Sequence, residues 1–316
     1  MKNWLDIENT KEVKEYIKFL ENDTKIYYVD DFPWRKYQGG LEPAIFGPYE
    51  PPEFSLTDIK ELIKISHSPF VRWTSNFTDK PTEWWLVNCK RQIKLENLSP
   101  TQRSKIRRGL KNCDVKKITP QWLSENGYEC YKSAFRRYKG TIPSNERQWK
   151  RGLEIKSKYT CFEFWGVFIK EKLIGYSECI VLNDIISTSV IKYNPDYLKY
   201  YPSYALTYTI LDYYLNQKNY ELISNGTRSI SHDTQIQKFL EKFGFDKQYC
   251  KLNVLYSPVF GFLVKITYTF RDLFNFLYKI IPNNLLHKII VILRQEKIRR
   301  SFYDNLFQEK FRSSYK

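Results

Sequence analysis

A carboxylate lies in the middle of an alternating apolar segment. Glu178 belongs to residues 175–182, in which Tyr176, Glu178 and Ile180 would share one face of a strand. A carboxylate held among apolar side chains has a raised pKa and can act as a general base. The same residue could instead face solvent at a sheet edge, and the sequence leaves both interpretations open.

A second set of reactive residues follows the segment NGTRSIS. His232 and Asp233 could transfer protons there, and the neighbouring Arg228 could bind a phosphate or a carboxylate. Loops that follow strands often carry ligand-binding residues. In the alternative interpretation, Asp233 caps a helix that begins at Thr234, and His232 is simply exposed.

Basic residues form a stripe along one predicted helix. A Ser-Pro pair signals the start of this helix, and Arg103, Arg107 and Lys111 then recur at intervals of four residues. Like charges at this spacing repel one another, so an anionic partner would stabilise the stripe. Residues 99–158 contain 16 basic and five acidic residues, a net charge of +11. A solvated helical surface is the alternative.

The composition favours a folded, strongly basic protein of the cytoplasm. The chain has 316 residues, 42% of them hydrophobic, which is enough for a large core in one domain or two lobes. Its net charge is +16, of which residues 257–316 contribute +7. The six cysteines and three histidines lack zinc-ligand spacing, so we expect no metal site. The first residues do not form the apolar stretch of a signal peptide, and free thiols are typical of the cytoplasm.

The second half of the chain alternates predicted strands and helices. Two strands joined by a short polar turn form a hairpin, and a third strand follows directly. A helix, a strand, a helix and a closing strand come next, so the predicted elements are, in order, 161–169, 173–182, 185–193, 204–215, 220–224, 234–243 and 249–256.

This order resembles the GNAT acyltransferase superfamily, and four segments carry the likeness. VFIKEKLIGYSECIVL is similar to the central hairpin of the family, and VIKYNPDYLKYYPSYALTYTIL to its next strand, loop and acyl-donor helix. YELISNG and FLEKFGF resemble its closing strand and helix. The likeness covers residues 160–256. It implies acyl transfer to an amine, with Glu178 in the strand where many such enzymes carry a base.

The preceding region resembles the FemAB-like group, two-lobed relatives of the peptidoglycan bridge aminoacyltransferases. An aromatic-rich N-terminal region leads into the basic segment LSPTQRSKIRRGLKNC. The resemblance implies an α/β (α+β) fold with two GNAT-like lobes, each a mixed sheet with flanking helices. The expected division is a divergent N-terminal lobe at 1–98, a basic helical segment at 99–158, a C-terminal lobe at 159–256, and an amphipathic, basic helical extension at 257–316.

The segment that would bind the acyl donor departs from acetyl-CoA-dependent relatives. Those enzymes hold the pyrophosphate on a glycine-rich loop at a helix N-terminus. Here Tyr201 and Ser203 stand where the glycines would be, in a loop that also contains Lys199 and Tyr204. Their side chains would hinder the approach of backbone to phosphate. FemAB-like proteins also lack this loop, so the resemblance implies aminoacyl-tRNA as the donor. Acyl-CoA stays the alternative, and no bound cofactor is expected.

The C-terminal segment is apolar at helical spacing, with cations between the apolar residues. Helices are predicted at 260–281 and 285–293, separated by Pro282. No uncharged stretch is long enough to span a bilayer. The two helices would either lie on an anionic membrane, with their cations at the headgroups, or pack on the C-terminal lobe as a hairpin.

These features together predict a transferase that adds an acyl or aminoacyl group to an amine on a cell-envelope or polysaccharide precursor. Its anionic partner would be tRNA or an acidic membrane surface. The expected location is the cytoplasm, with peripheral attachment to the inner face of the membrane as an option. The alternatives are an acetyl-CoA-dependent N-acetyltransferase and a nucleic-acid-binding or catalytically inactive membrane-surface scaffold.

Overall fold

One mixed sheet organises the molecule. The computed structural model describes residues 2–138, 141–231 and 235–313, with side chains up to residue 302. Within these residues the sheet has eleven strands. They are β1 (Ile26–Val29), β2 (Phe32–Tyr37), β3 (Gly40–Pro43), β4 (Phe70–Thr78), β5 (Trp85–Cys89), β6 (Asp114–Ile118), β7 (Phe162–Ile169), β8 (Lys172–Leu182), β9 (Ile185–Tyr193), β10 (Leu222–Thr227) and β11 (Asp246–Tyr256).

Helices connect the strands and follow the last of them. The helix α3 begins as its sequence predicts, because the Ser99 hydroxyl accepts a hydrogen bond from the Gln102 amide at 3.3 Å and Pro100 occupies the first helical position. The helices are α1 (Lys11–Glu21), α2 (Leu56–Ser66), α3 (Pro100–Asn112), α4 (Pro120–Asn126), α5 (Tyr128–Ala134), α6 (Glu146–Lys156), α7 (Pro202–Leu211), α8 (Ile236–Glu241), α9 (Pro258–Thr269), α10 (Arg271–Ile280) and α11 (Asn284–Ser313).

The strands lie in the order β1-β2-β3-β4-β11-β5-β10-β9-β8-β7-β6. Most neighbours are antiparallel, whereas β3 with β4 and β9 with β10 are parallel. The closing strand β11 lies between β4 and β5, and therefore pairs with strands from the first third of the chain. The sequence is thus folded as a mixed α/β protein with flanking helices and C-terminal helices, as predicted. The lobe boundaries at 98, 158 and 256 stay a prediction.

Two helical layers cover the two faces of the sheet. On one face, Val13 of α1, Leu123 of α4 and Leu153 of α6 are buried in the same hydrophobic cluster. On the other face, Ile106 of α3 and Leu206 of α7 belong to a second cluster. The described strands β7 and β8 are therefore buried on both faces.

The strand β10 has a partner on each edge at its start and on only one edge at its end. It pairs in parallel with β9 over residues 222–224 only, and antiparallel with β5 as far as Thr227. A register irregularity lies between Ser224 and Thr227, and Gly226 there has a φ of +76°, in the left-handed region that favours glycine. Consequently β9 and β10 separate after their third residue pair, and a gap opens in the sheet.

The helices α3 and α7 cross in close contact at Gly109. A Cβ atom at this position would lie 2.8 Å from the Tyr201 carbonyl oxygen and 3.1 Å from the Ala205 amide nitrogen. Both atoms belong to the backbone and cannot rotate away. Glycine is therefore required for the observed approach of α3 to the first turn of α7.

All six cysteines are buried. Burial raises the pKa of Cys113 to about 11 and that of Cys179 to about 12, because the thiolate would lose its hydration. Both thiols are consequently protonated at neutral pH. Cys179, which stands next to Glu178, is therefore not an activated nucleophile.

The crossing of α3 and α7 can be tested with two glycine substitutions. Gly109→Ala should lower the free energy of unfolding by about 1–3 kcal/mol, because overpacking against backbone exceeds the gain in helix propensity. Gly152→Ala is the matched control in α6, where an added Cβ would meet no atom within 4 Å. It should be neutral or raise stability by up to about 1 kcal/mol. Urea unfolding of both variants measures the difference, and a Gly109→Ala protein as stable as Gly152→Ala would contradict the close crossing.

Candidate active site

The gap between β9 and β10 opens into a cleft of about 600 Å³. One wall consists of β9 residues, among them Thr188, Ser189 and Tyr193, and the opposite side includes Asn225 of β10. The amide nitrogen of the Asn225 side chain donates a hydrogen bond to the Thr188 hydroxyl at 3.3 Å, across the point where the strands separate. Ser203 of α7 lines the cleft as well. A concave site with a few convergent polar groups is the usual form of a small-ligand pocket.

One edge of β9 is exposed to this cleft. Its other edge pairs with β8 along almost its whole length, but pairing with β10 ends at Ser187. No described strand pairs with the cleft-facing edge over residues 188–193, so β10 does not bind the backbone donors and acceptors there. An extended chain that contains amides could add to this edge as a further strand does. A carbonyl oxygen could also accept hydrogen bonds from its N–H groups.

The residue that precedes α7 has a left-handed backbone conformation. Tyr201 precedes the helix with φ +61° and ψ +39°, a left-handed conformation that is uncommon for a tyrosine. The Tyr201 carbonyl accepts hydrogen bonds from the amides of Tyr204 at 3.1 Å and Ala205 at 3.2 Å. Pro202 has no N–H group, so the first turn offers few free donors to an anion.

Two cations of α3 cover this turn. The Arg108 guanidinium lies 4.7 Å from the centre of the Tyr201 ring, and the Lys105 ammonium lies 5.5 Å from the centre of the Tyr204 ring. These are cation–π distances. Neither cation is among the predicted anion-binding residues, although their spacing of three residues places them on one side of α3. The first turn of α7 thus presents aromatic rings and positive charge.

The predicted stripe of α3 has a different orientation. Arg107 and Lys111 are exposed. Arg103 donates a hydrogen bond to the Glu96 carbonyl oxygen at 3.1 Å. The three residues therefore form an outer basic surface on the same helix whose other side carries Lys105 and Arg108.

Glu178 lies in β8, next to the strand β9 that lines the cleft, and its carboxylate is paired. It is 5% exposed, its Oε2 lies 2.6 Å from the Lys156 ammonium, and its Oε1 accepts a hydrogen bond from the Ser189 hydroxyl at 3.0 Å. The predicted alternation is confirmed, since Tyr176 and Ile180 belong to the cluster on this face. The ion pair of Glu178 with Lys156 was not predicted from the sequence. Because Ser189 reaches the cleft, the carboxylate contacts the site through one hydroxyl group.

Two further predicted residues, Arg228 and Lys199, do not line the cleft. Arg228 donates to the Glu83 carboxylate at 2.9 Å and stacks on Trp85 at 4.4 Å, so it has an anion and a ring as partners within the protein. Lys199 lies over the Tyr200 ring. His232 and Asp233 lie outside the described residues, so their predicted roles are not tested.

A wall of aromatic and basic side chains, not predicted from the sequence, lies beside β9. The Lys192 ammonium lies 4.6 Å from the centre of the Tyr138 ring and 4.7 Å from that of Phe135, and Tyr138 lines the cleft. Burial raises the pKa of the Tyr193 hydroxyl, which interacts with Thr207 of α7. The run of aromatic and basic residues at 135–138 was the sequence signal for this wall.

No protein-family model and no curated protein matches this chain. Solved structures do match. FemX superposes with a TM-score of 0.53 at 10% identity, over 75% of this chain and 89% of FemX. The C-terminal domain of a protein described as a putative lysylphosphatidylglycerol synthetase from Agrobacterium fabrum has a TM-score of 0.50 at 8% identity, over 81% of this chain and 95% of that domain.

A third structure belongs to the same set. L-PGS from Bacillus licheniformis superposes with a TM-score of 0.50 at 12% identity, over 77% of this chain and 91% of L-PGS. At these identities the shared property is the fold. The resemblance to the FemAB-like group, deduced from sequence segments, is therefore confirmed in the architecture: this chain has the fold of FemX.

Proposed function

We propose that the protein transfers an aminoacyl group to an amine of a cell-envelope or polysaccharide precursor, in the cleft between β9 and β10. The observation that carries the proposal is the separation of these strands beside the N-terminus of α7, which opens a strand edge to an acyl carbonyl. The shared fold with FemX and with the lysylphosphatidylglycerol synthetase domain supports aminoacyl transfer at an envelope component.

In the proposed reaction, the amine nitrogen attacks the acyl carbonyl carbon. A C–N bond forms, the C–O bond to the donor ribose breaks, and the ribose oxygen leaves with a proton from the nitrogen. N–H groups on the open edge of β9 stabilise the oxyanion of the intermediate. The incoming ammonium must first lose a proton. Ser189 accepts it while passing its own hydroxyl proton to Glu178, which Lys156 holds in place.

Aminoacyl-tRNA fits the donor side better than acyl-CoA. The turn before α7 carries Tyr201 and Tyr204 with Arg108 and Lys105 over their rings, rather than a set of free amides for a pyrophosphate. Cations interleaved with aromatic rings suit a nucleic acid, because phosphates pair with the charges and bases stack on the rings. The outer surface with Arg107 adds long-range attraction to a polyanion. We place the reaction in the cytoplasm, at the inner face of the membrane.

The function is tested by label transfer. Full-length protein is incubated with tRNA charged with labelled amino acids and with envelope lipid or amino-sugar precursor fractions. We expect label in the acceptor fraction, in a form that resists mild alkali, because an amide is more stable to base than an ester. Alkali-labile product would show a hydroxyl acceptor, and absence of transfer from every charged tRNA would contradict the proposal.

The proton relay predicts a loss of rate without a loss of binding. Ser189→Ala should slow single-turnover transfer by about 100-fold or more, with unchanged affinity for aminoacyl-tRNA and unchanged thermal unfolding. Glu178→Gln should slow it similarly. The matched control is Ser187→Ala, on the last β9 residue that is paired with β10. Wild-type transfer by the Ser189 variant would rule out the relay.

The donor assignment predicts a distinct effect of the cations. Changing Lys105 and Arg108 to Gln should weaken tRNA binding, and the slope of log affinity against log salt should fall by about 0.7–0.9 for each phosphate that the variant no longer binds. The control changes exposed lysines of α1 and α2 to Gln, namely Lys14, Lys18 and Lys60, and should leave affinity almost unchanged. Indifferent binding of unrelated RNA would favour a nucleic-acid-binding module. Micromolar binding of acetyl-CoA in calorimetry would favour the N-acetyltransferase.

A further inference from the structure

Exposed apolar side chains are concentrated in one short part of the chain. Of the 18 large apolar residues that are exposed within the described chain, ten fall between residues 259 and 285. The other eight are scattered between Leu5 and Ile142. Single exposed apolar residues are normal, but a contiguous group of this size marks an interaction surface. We call these ten residues the apolar face: Val259, Phe262, Leu263, Ile266, Phe270, Leu273, Phe276, Ile280, Ile281 and Leu285.

Helical spacing brings the exposed apolar residues of α10 together. In α10, Leu273, Phe276 and Ile280 follow one another at intervals of three and four residues, so all three lie on one side of the helix. Tyr278 lies on another side, where its hydroxyl is hydrogen-bonded to the ring of His287 in α11 at 3.1 Å. The helix α10 thus packs on α11 with one side and exposes an apolar side to solvent.

The neighbouring helix α9 is apolar on two sides. Val264 is buried, whereas Phe262 and Ile266 are exposed. A helix that is apolar all round is normally buried all round. The exposed side of α9 therefore has the composition of a buried surface, although no described part of the protein packs against it.

An apolar groove continues the apolar face into the protein. It encloses about 710 Å³ between α9, α11 and the start of β4, and Leu263 and Leu285 of the apolar face line it together with Phe70 and Val264. Hydrocarbon could therefore enter between the helices as well as lie along them.

Cations stand next to the apolar face. Lys265, Arg271, Lys279 and Lys288 are exposed in α9, α10 and the first turns of α11, against the single acid Asp272. Within the described residues, no helix is long and apolar enough to cross a membrane. Helices with an apolar side and flanking lysines suit the plane of a bilayer surface, with apolar side chains among the acyl chains and ammonium groups at the phosphates.

We propose that α9, α10 and the first turns of α11 dock the protein on an anionic lipid bilayer through the apolar face. The occupant is the bilayer rather than a protein, because exposed cations lie on the same helices as the apolar face and match the charge of an acidic leaflet. The inference goes beyond the proposed transfer reaction and does not depend on it, since binding to a bilayer needs neither donor nor acceptor.

Vesicle sedimentation with the full-length protein tests this inference. The protein should bind vesicles that contain phosphatidylglycerol more tightly than vesicles of phosphatidylcholine alone. Changing Leu273, Phe276 and Ile280 to Gln should abolish binding to both. The matched control changes three exposed apolar residues elsewhere, Leu56, Ile65 and Ile142, to Gln and should bind as the wild type does.

A charge variant separates the two components of binding. Changing Lys265, Lys279 and Lys288 to Gln should weaken binding to phosphatidylglycerol vesicles by up to about fivefold per lysine, and leave binding to phosphatidylcholine almost unchanged. Absence of vesicle binding by the wild type would overturn the proposal. A second result would also overturn it: a wild-type dimer in sedimentation analysis that vesicles do not affect and that becomes a monomer when Leu273, Phe276 and Ile280 are changed to Gln. The apolar face would then be an interface between two copies.

Discussion

The candidate site depends on the pairing of β10 with two neighbours of opposite direction. Hydrogen bonds to parallel β9 hold its first three residues, and hydrogen bonds to antiparallel β5 hold it as far as Thr227. Gly226 permits the irregular backbone within the pairing with β5. Since β11 pairs with both β4 and β5, β5 is held in the sheet on its other edge. The gap is therefore fixed by backbone hydrogen bonds on both sides of it.

Close packing of helices determines what surrounds that gap. Gly109 allows α3 to contact the turn at Tyr201. For this reason Arg108 lies over the Tyr201 ring and Lys105 over the Tyr204 ring. A larger residue at position 109 would move α3, and with it the charges of Lys105 and Arg108, away from the turn at Tyr201. The same backbone contact therefore links a packing requirement to the electrostatics of the donor side.

The sequence predicts elements whose local signals are strong. The hairpin of β7 and β8, the Ser-Pro start of α3 and the alternation around Glu178 were all deduced correctly. The strand β6 was missed, because Asp114, Lys116 and Lys117 give an edge strand no apolar alternation. The strand β2 was not predicted, because Pro33 is unusual inside a strand. The predicted helix at 260–281 is interrupted, since α9 ends at Thr269 and α10 begins at Arg271.

Partners that are distant in sequence were beyond local reasoning. The pairing of Glu178 with Lys156 joins β8 to α6, a helix that was not predicted from the sequence. Arg228 forms an ion pair with Glu83, which lies 145 residues earlier in the sequence. A titratable residue can be selected by its own neighbours in sequence, but its charge environment is set by tertiary contacts. For this reason the position of Glu178 was predictable and its ion pair was not.

The two basic segments of the chain differ in what accompanies the charge. On α3, cations stack on tyrosine rings next to a cleft, an arrangement that suits a polyanion with flat bases. On α9 to α11, cations alternate with exposed aliphatic and phenylalanine side chains, which have no polar group to offer a nucleic acid. Net charge alone assigned both segments to an anionic partner. The residues next to the cations distinguish the two partners. An anionic lipid surface, unlike a nucleic acid, can both bury hydrocarbon side chains and neutralise cations.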